Sequence, residues 1–267
     1  MEILGYICAT LVGISLGILG SGGSILTVPI MVYLMNVNPV DATGYSLFVV
    51  GISSAIGGIK YVRKNLVDIR TAVIFSVPSI ACVFLTRTFL MPAIPNPVLT
   101  ISSFTLSKEL FIMLLFAMLM IIVSWNMIRS SHYREPEETE FRNMNYLWLI
   151  FVGFISGLLT GIVGVGGGFI IIPALVLLAK VPVRMSVGTS LLIIAFNSIS
   201  GFAGEVIERH EKINYQFLLL FSFLAIIGIF IGFRAALRQS PQQIRKMFGW
   251  FILVMGVAIF IREVFVR

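Results

Sequence analysis

The chain has 267 residues, of which 58% are hydrophobic and only 12% charged, and its mean hydropathy is +1.02. A water-soluble domain of this size carries about 25% charged side chains to cover its surface, so the composition excludes a soluble fold and puts most of the surface against lipid. The net charge of +7 does not mark a nucleic-acid binder, because the bases sit in short loops between apolar runs, where membrane topology places them.

Stretches 143–179, 185–204 and 213–233 carry no charged side chain, and runs near 20 apolar residues match the hydrocarbon thickness of a bilayer. The expected fold is therefore an all-α integral membrane protein, multi-pass in the cell inner membrane. In chain order, the pattern predicts helical pieces at about 3–20, 24–36, 44–60, 71–88 and 109–128. A polar linker at 129–145 follows, expected on the cytoplasmic side and containing the chain's densest charge. Five more pieces are predicted at about 146–164, 168–180, 186–206, 214–233 and 246–263. The first segment is no signal peptide: it has Glu2 where a basic region belongs, and it runs into a motif repeated later. Cys8 and Cys82 fit no CxxC or metal spacing and read as small apolar residues. No cofactor or metal is expected.

The two halves repeat each other at an offset of 144. Gly13, Gly17, Gly20, Gly22, Gly23 and Pro29 recur as Gly157, Gly161, Gly164, Gly166, Gly167 and Pro173. Gly44, Ser46, Leu47, Ser54 and Gly57 recur as Gly188, Ser190, Leu191, Ser198 and Gly201. Agreement over so many positions means a duplication, which divides the chain into repeat 1 (1–128), the linker and repeat 2 (146–267).

The second piece of each repeat has about 13 residues and would rise only about 20 Å. It is too short to cross comfortably, and fused to its predecessor it would be too long. The glycines between them are read as a sharp break, making a hairpin that folds back within the membrane. Each copy then crosses an odd number of times, the copies are inverted, and equivalent loops should carry opposite charge bias. Inversion leaves Arg87, Lys108, Arg209, Lys212, Arg262 and Arg267 outside, and the other 13 of the 19 bases on the cytoplasmic side. Parallel repeats with four spans each are the competing topology.

Gly13 with Gly17 and Gly157 with Gly161 are small-xxx-small pairs, read as packing surfaces. The clusters Ser21-Gly22-Gly23-Ser24 and Val165-Gly166-Gly167-Gly168 differ. Unwound backbone is tolerated at membrane depth only when buried in protein or lining a polar cavity. Each cluster also begins a helix, whose free N–H groups and positive dipole end suit an oxyanion. The expected substrate-binding residues are thus Ser21, Gly22, Gly23, Ser24, Gly166, Gly167 and Gly168. Tyr45, Ser46, Thr189 and Ser190, near the starts of the third pieces, are expected to complete an oxygen cage. Asn197, costly within a membrane, is expected to face the interior; its repeat counterpart is Ser53.

Two copies of GxxxGxxGxGG…P, each followed by a GTSL-like segment, resemble the TauE/SafE family of sulfite exporters. The second copy fits best, through Gly157, Gly161, Gly164, Gly166, Gly167, Gly168, Pro173 and Gly188-Thr189-Ser190. The first departs from it with Ser24 for the third glycine and Tyr45 for threonine. The resemblance implies export or uptake of sulfite or a related organosulfur anion across a prokaryotic cytoplasmic membrane.

Together these readings describe a transporter of a small anion working by alternating access between two repeats in the lipid bilayer. An intramembrane enzyme is the alternative from another class, and it lacks a base there: His132 and His210 are both in charged loops. A non-transporting membrane assembly subunit would need no symmetric glycine breaks. The spans hold no charge near their centres, which argues against a proton relay, and Asp41, Asp68 and Glu205 are read as edge residues.

Overall fold

The computed structural model describes residues 2–101, 104–129, 146–164, 166, 168–208 and 213–266. It is almost wholly helical. Helix α1 (Glu2–Leu19) ends in a 3-10 turn, Gly20–Gly23, and α2 (Ser24–Tyr33) follows at once. Then come α3 (Pro39–Arg63) and α4 (Ile69–Leu85), the latter prolonged through a π turn, Thr86–Leu90, to Met91–Ala93. A small antiparallel hairpin, β1 (Leu99–Ile101) with β2 (Phe104–Leu106), precedes α5 (Lys108–Arg129). The second half comprises α6 (Tyr146–Val163), α7 (Gly168–Pro173, prolonged through a π turn Ala174–Leu178), α8 (Val183–Glu208), α9 (Tyr215–Ala236) and α10 (Pro241–Ile261).

Local chemistry explains the boundaries. Asn38 caps α3 by accepting a hydrogen bond from the N–H of Val40, with Pro39 at the first helical position, where its missing N–H costs nothing. Asn214 caps α9 through the N–H of Phe217, and Ser240 with Gln243 forms a reciprocal capping box on α10. Helices α1 and α6 stop where Gly20 (φ +61°) and Gly164 (φ +74°) take the left-handed conformation. Side chains avoid that conformation because of the Cβ–carbonyl clash.

Among the described residues, six helices are long and apolar enough to cross a membrane. They present Leu147, Phe154, Trp125 and Phe223 outward, a surface that only lipid can cover. Burial is unequal. In its most apolar stretch α3 is 67% buried and α8 56%, against 33% for α5, so α3 and α8 form the centre of the bundle.

These two helices run antiparallel. Gly44 packs on Glu205, Gly51 on Ser198 and Gly58 on Leu192, so numbers rise along one as they fall along the other. In contrast, α1 lies parallel to α9, with Gly13 against Ala225 and Gly17 against Ile229. Helix α6 lies parallel to α4, with Gly153 against Phe75 and Gly157 against Ser79. These seams are backbone-close: a methyl at Gly13 would sit 1.9 Å from the Ala225 carbonyl oxygen. In lipid, close van der Waals approach of this kind, rather than expulsion of water, holds helices together. The first helix of each half therefore packs on the fourth helix of the other. Helices at equivalent positions in the centre point in opposite directions.

Candidate functional site

The breaks after α1 and α6 are built alike and held by the opposite half. Gly164 donates its N–H to the Thr160 carbonyl at 2.8 Å, and its own carbonyl accepts the hydroxyl of Ser46 from α3. A methyl at Gly164 would lie 2.3 Å from Thr43 Cβ and 2.5 Å from Arg87 Nη2. On the other side, a methyl at Gly20 would lie 3.0 Å from Ser190 Oγ of α8, and that hydroxyl donates to the Val187 carbonyl at 2.8 Å. Ser46 and Ser190 thus brace, or lie against, the turn of the opposite half.

Beyond the turns the chain reaches mid-depth. Gly166 (φ +66°) lies beside Ser198, within 2.8 Å of its Oγ for a built Cβ, and Ser198 packs on Gly51, the middle residue of α3. Gly23 is pressed against Val12 and Leu16 in the body of α1. Helices α2 and α7 therefore start well inside the bundle, with Ser24 and Gly168 both buried. Helix α2 continues directly from its 3-10 turn, whereas α7 starts at Gly168, two residues after the left-handed Gly166.

Around this depth lie buried polar atoms without a protein partner: Ser53 Oγ and Ser54 Oγ on α3, and Asn197 Oδ1 and Ser198 Oγ on α8. The Asn197 amide donates to Ser79 Oγ at 2.7 Å, which leaves its carbonyl oxygen facing inward unmatched. Thr27 Oγ1, one turn into α2, is likewise buried and unmatched. Most buried polar atoms in folded proteins find a partner because desolvation without one costs ~1–3 kcal/mol. Several orphans at one depth mark a place built for a polar guest.

The expected residues do not all gather there. Gly166 lies against Ser198, next in sequence to Asn197, while Gly23 packs on α1 and Ser24 and Gly168 are buried. Ser21 and Gly22 belong to the 3-10 turn, though their side-chain surroundings are outside the described set, and Gly167 lies outside the described residues, as does His210 and the whole of 130–145. Tyr45 and Thr189 go elsewhere. The N–H of Asn214 donates to Tyr45 Oη at 3.3 Å, and the N–H of Asp68 donates to Thr189 Oγ1 at 2.9 Å. Each hydroxyl thus clamps the start of the fourth helix of the other half. In the α3–α8 register Thr189 stands opposite residue 60 of α3, so it is about 15 residues, roughly 22 Å of helix, from Tyr45. Ser46 and Ser190 are separated in the same way.

The sequence reading missed the most charged feature of the interior. Arg87, counted as a loop base, lies on the π turn that prolongs α4 and is fully buried. Its Nη1 donates to Glu205 Oε2 on α8 at 3.0 Å, and Glu205 is itself only 4% exposed. Glu205 lies near the end of α8, as expected, but it is buried rather than open to water. The available signal was two opposite charges near the C-terminal ends of pieces four and eight, flanked by Thr86 and Thr88. The equivalent position in the other half has no charge. There Tyr61 meets Phe233 edge to face at 4.8 Å, and the Tyr61 hydroxyl donates to the Gly17 carbonyl at 3.1 Å.

The two ends of the bundle differ in space as well. At the end where α3 begins, a cavity of about 450 Å³ lies among Tyr6, Asn38, Asp41, Tyr45, Asn214 and Phe217. At the opposite end, the space among Tyr61, Leu66, Arg184 and Val187 is only about 10 Å³. Among the described residues no cluster of three or more His, Cys, Asp or Glu could hold a metal ion.

Comparison with known proteins places this architecture. Residues 5–259 match the family described as Sulfite exporter TauE/SafE. A "Probable membrane transporter protein" of Xylella fastidiosa is 31% identical over 257 residues, covering 94% of this chain and 91% of the relative. One of Methanocaldococcus jannaschii is 27% identical over 263 residues, covering 92% of each. A third, YunE of Bacillus subtilis, is 27% identical over 234 residues, covering 82% of each. No solved structure matches the chain.

Proposed function

Because the chain belongs to the TauE/SafE sulfite exporter family, we propose that it is a membrane transporter carrying a small anion of the sulfite or organosulfonate class. The observation that carries the reading is the set of buried, unmatched hydroxyls of Ser53, Ser54 and Ser198 near mid-depth, with Gly166 at the approach to α7 lying against Ser198. Helix N-termini offer free N–H groups and partial positive charge to an oxyanion, and hydroxyls donate to it as well. Gly166 and Gly168 would supply backbone donors. Ser53, Ser54 and Ser198 would supply hydroxyls, and Ser79 would hold the Asn197 amide in place. Ser21 and Gly22 extend the first turn, and Gly167 is a candidate from the sequence alone. Tyr45, Ser46, Thr189 and Ser190 would act by bracing the helices rather than by touching the guest.

Alternating access follows from the same plan. Two halves that grip each other's turns and point opposite ways at their centre can rock about a fixed site, opening it to one side and then the other. Arg63, Lys64, Lys180, Arg184, Arg234 and Arg238 cluster in the loops around Tyr61, and the positive-inside rule puts that end in the cytoplasm. The cavity beside Tyr45 would then face outward.

The test is thermal stability of the detergent-purified protein against sulfite, sulfate, thiosulfate, sulfoacetate, taurine and chloride. A ligand that binds the folded state raises the melting temperature by mass action, worth ~2.7 kcal/mol at a hundred times its Kd. A selective shift with one sulfur oxyanion, lost in Gly166→Val and reduced in Ser198→Ala, is expected. Stabilisation by a cation or a neutral metabolite, and by no anion, would overturn the assignment.

A further inference from the structure

The Arg87–Glu205 pair lies off the mid-depth site. In the α3–α8 register Glu205 stands opposite Gly44, seven residues from the middle of α3, or about 10 Å along the helix. Gly44 lies between Asp41 and Tyr45 on α3, so the pair is level with the cavity that those two residues line. The guanidinium also lies against the turn at Gly164, whose geometry admits no side chain beside it. Near it are hydroxyls without a protein partner: Thr160 Oγ1, on the residue whose carbonyl receives the Gly164 N–H, and Thr88 Oγ1, next in sequence to Arg87. A buried cation beside a left-handed turn, with unmatched hydroxyls on neighbouring residues, is a setting that suits an oxyanion, and here Arg87 holds the carboxylate of Glu205.

We infer that Arg87 is a second anion-binding residue on the transport path and that Glu205 is a tethered stand-in for the transported anion. This rests on the anion reading above and deepens it. A guanidinium cannot lose its charge in a protein, so within lipid it needs a counter-charge at all times. Without substrate, Glu205 supplies that charge. A passing oxyanion replaces it, and the planar fork of Arg87 suits two oxygens of a sulfite or sulfonate group. When the anion moves on, Glu205 returns and reseats the α4 π turn against α8. At the other end Tyr61 meets Phe233, with the Lys60 ammonium over the Phe230 ring, and among the described residues no buried ion pair stands there.

The experiment reads the sodium sulfite concentration that gives half the maximal thermal shift. Glu205→Gln removes the competitor and keeps the shape, so that concentration should fall about tenfold or more, the size of one close charge coupling. The double variant Arg87→Met with Glu205→Leu leaves no orphaned charge and should keep the fold while raising that concentration at least about tenfold. Liposome uptake of radiolabelled sulfite by the same variants should follow the same order at low concentration. If both variants respond to sulfite as the unsubstituted protein does, the pair is a structural ion pair and the inference fails, while the anion reading stands. If the unsubstituted protein responds to no oxyanion, the anion reading itself fails, and this inference with it.

Discussion

The two ends of the bundle share a backbone plan and differ in chemistry. At one end Arg87 and Glu205 form a buried ion pair beside the Gly164 turn, with a cavity of about 450 Å³ at the same end. At the other, Phe233 and Tyr61 occupy the equivalent places beside Gly17, and the space among Tyr61, Leu66, Arg184 and Val187 is about 10 Å³. Positions that only glycine can satisfy kept their residue in both halves, because the turn geometry admits nothing else. Positions that only had to fill space diverged, and one divergence turned an aromatic contact into a charged one. The two halves thus share their glycine turns and differ at the two ends of the bundle.

That comparison can be broken at three places. The largest effect is expected from Arg87→Met alone, which leaves Glu205 buried without its counter-charge and should cost ~3–5 kcal/mol. Thermal unfolding in a single detergent measures it, and a loss no greater than that of the Met/Leu double variant would mean the pair is not electrostatically buried. Next come the two turns. Alanine at Gly164 or Gly20 meets the same left-handed penalty of ~1–2 kcal/mol. At Gly164 it must also push aside the Thr43 carbonyl, 2.4 Å away, whereas at Gly20 the nearest atoms are at 3.0 Å. Gly164→Ala should therefore lose ~1–3 kcal/mol more than Gly20→Ala, and equal losses would show the two turns to be alike in tightness. The smallest effect is expected from Tyr61→Phe, which removes only the hydrogen bond to Gly17 and keeps the ring on Phe233. A loss of ~0.5–1.5 kcal/mol, seen as a modest fall in melting temperature, is expected.

Much of the fold was legible because lipid simplifies the code. Helix α1 was placed at 3–20 and spans Glu2–Leu19, and α9 was placed at 214–233 and spans Tyr215–Ala236. Apolar length alone predicts such pieces when no water is present to satisfy the backbone. Boundaries slipped where polar caps lengthened helices past their apolar core, as Asn38 does for α3, which begins at Pro39 rather than 44. The π turn after Leu85 was also invisible, since no residue pattern distinguishes one wide turn from a helix end.

The candidate site was legible only in part. Glycine clusters announce a break, and a break in lipid must be buried, so Gly23, Gly166 and Gly168 could be singled out from sequence alone. Which hydroxyls share a depth could not. Tyr45 and Thr189 sit at matching places in the repeat, and matching places look like neighbours until the direction of the two helices is known. Because α3 and α8 run antiparallel, residues at matching places of the two halves come close only near the helix midpoints, which brings Ser198 to Gly51 and sends Tyr45 and Thr189 to opposite ends.

The sequence by itself determined the solvent, the class, the duplication and the positions where the chain must turn. Those follow from local needs: apolar length, backbone hydrogen bonding and the conformations that glycine alone can adopt. Only the tertiary structure decided which polar atoms were left unmatched and that Arg87 meets Glu205 across 118 positions. Such pairings depend on helix direction and register, quantities set by how whole surfaces pack, and no residue carries them on its own.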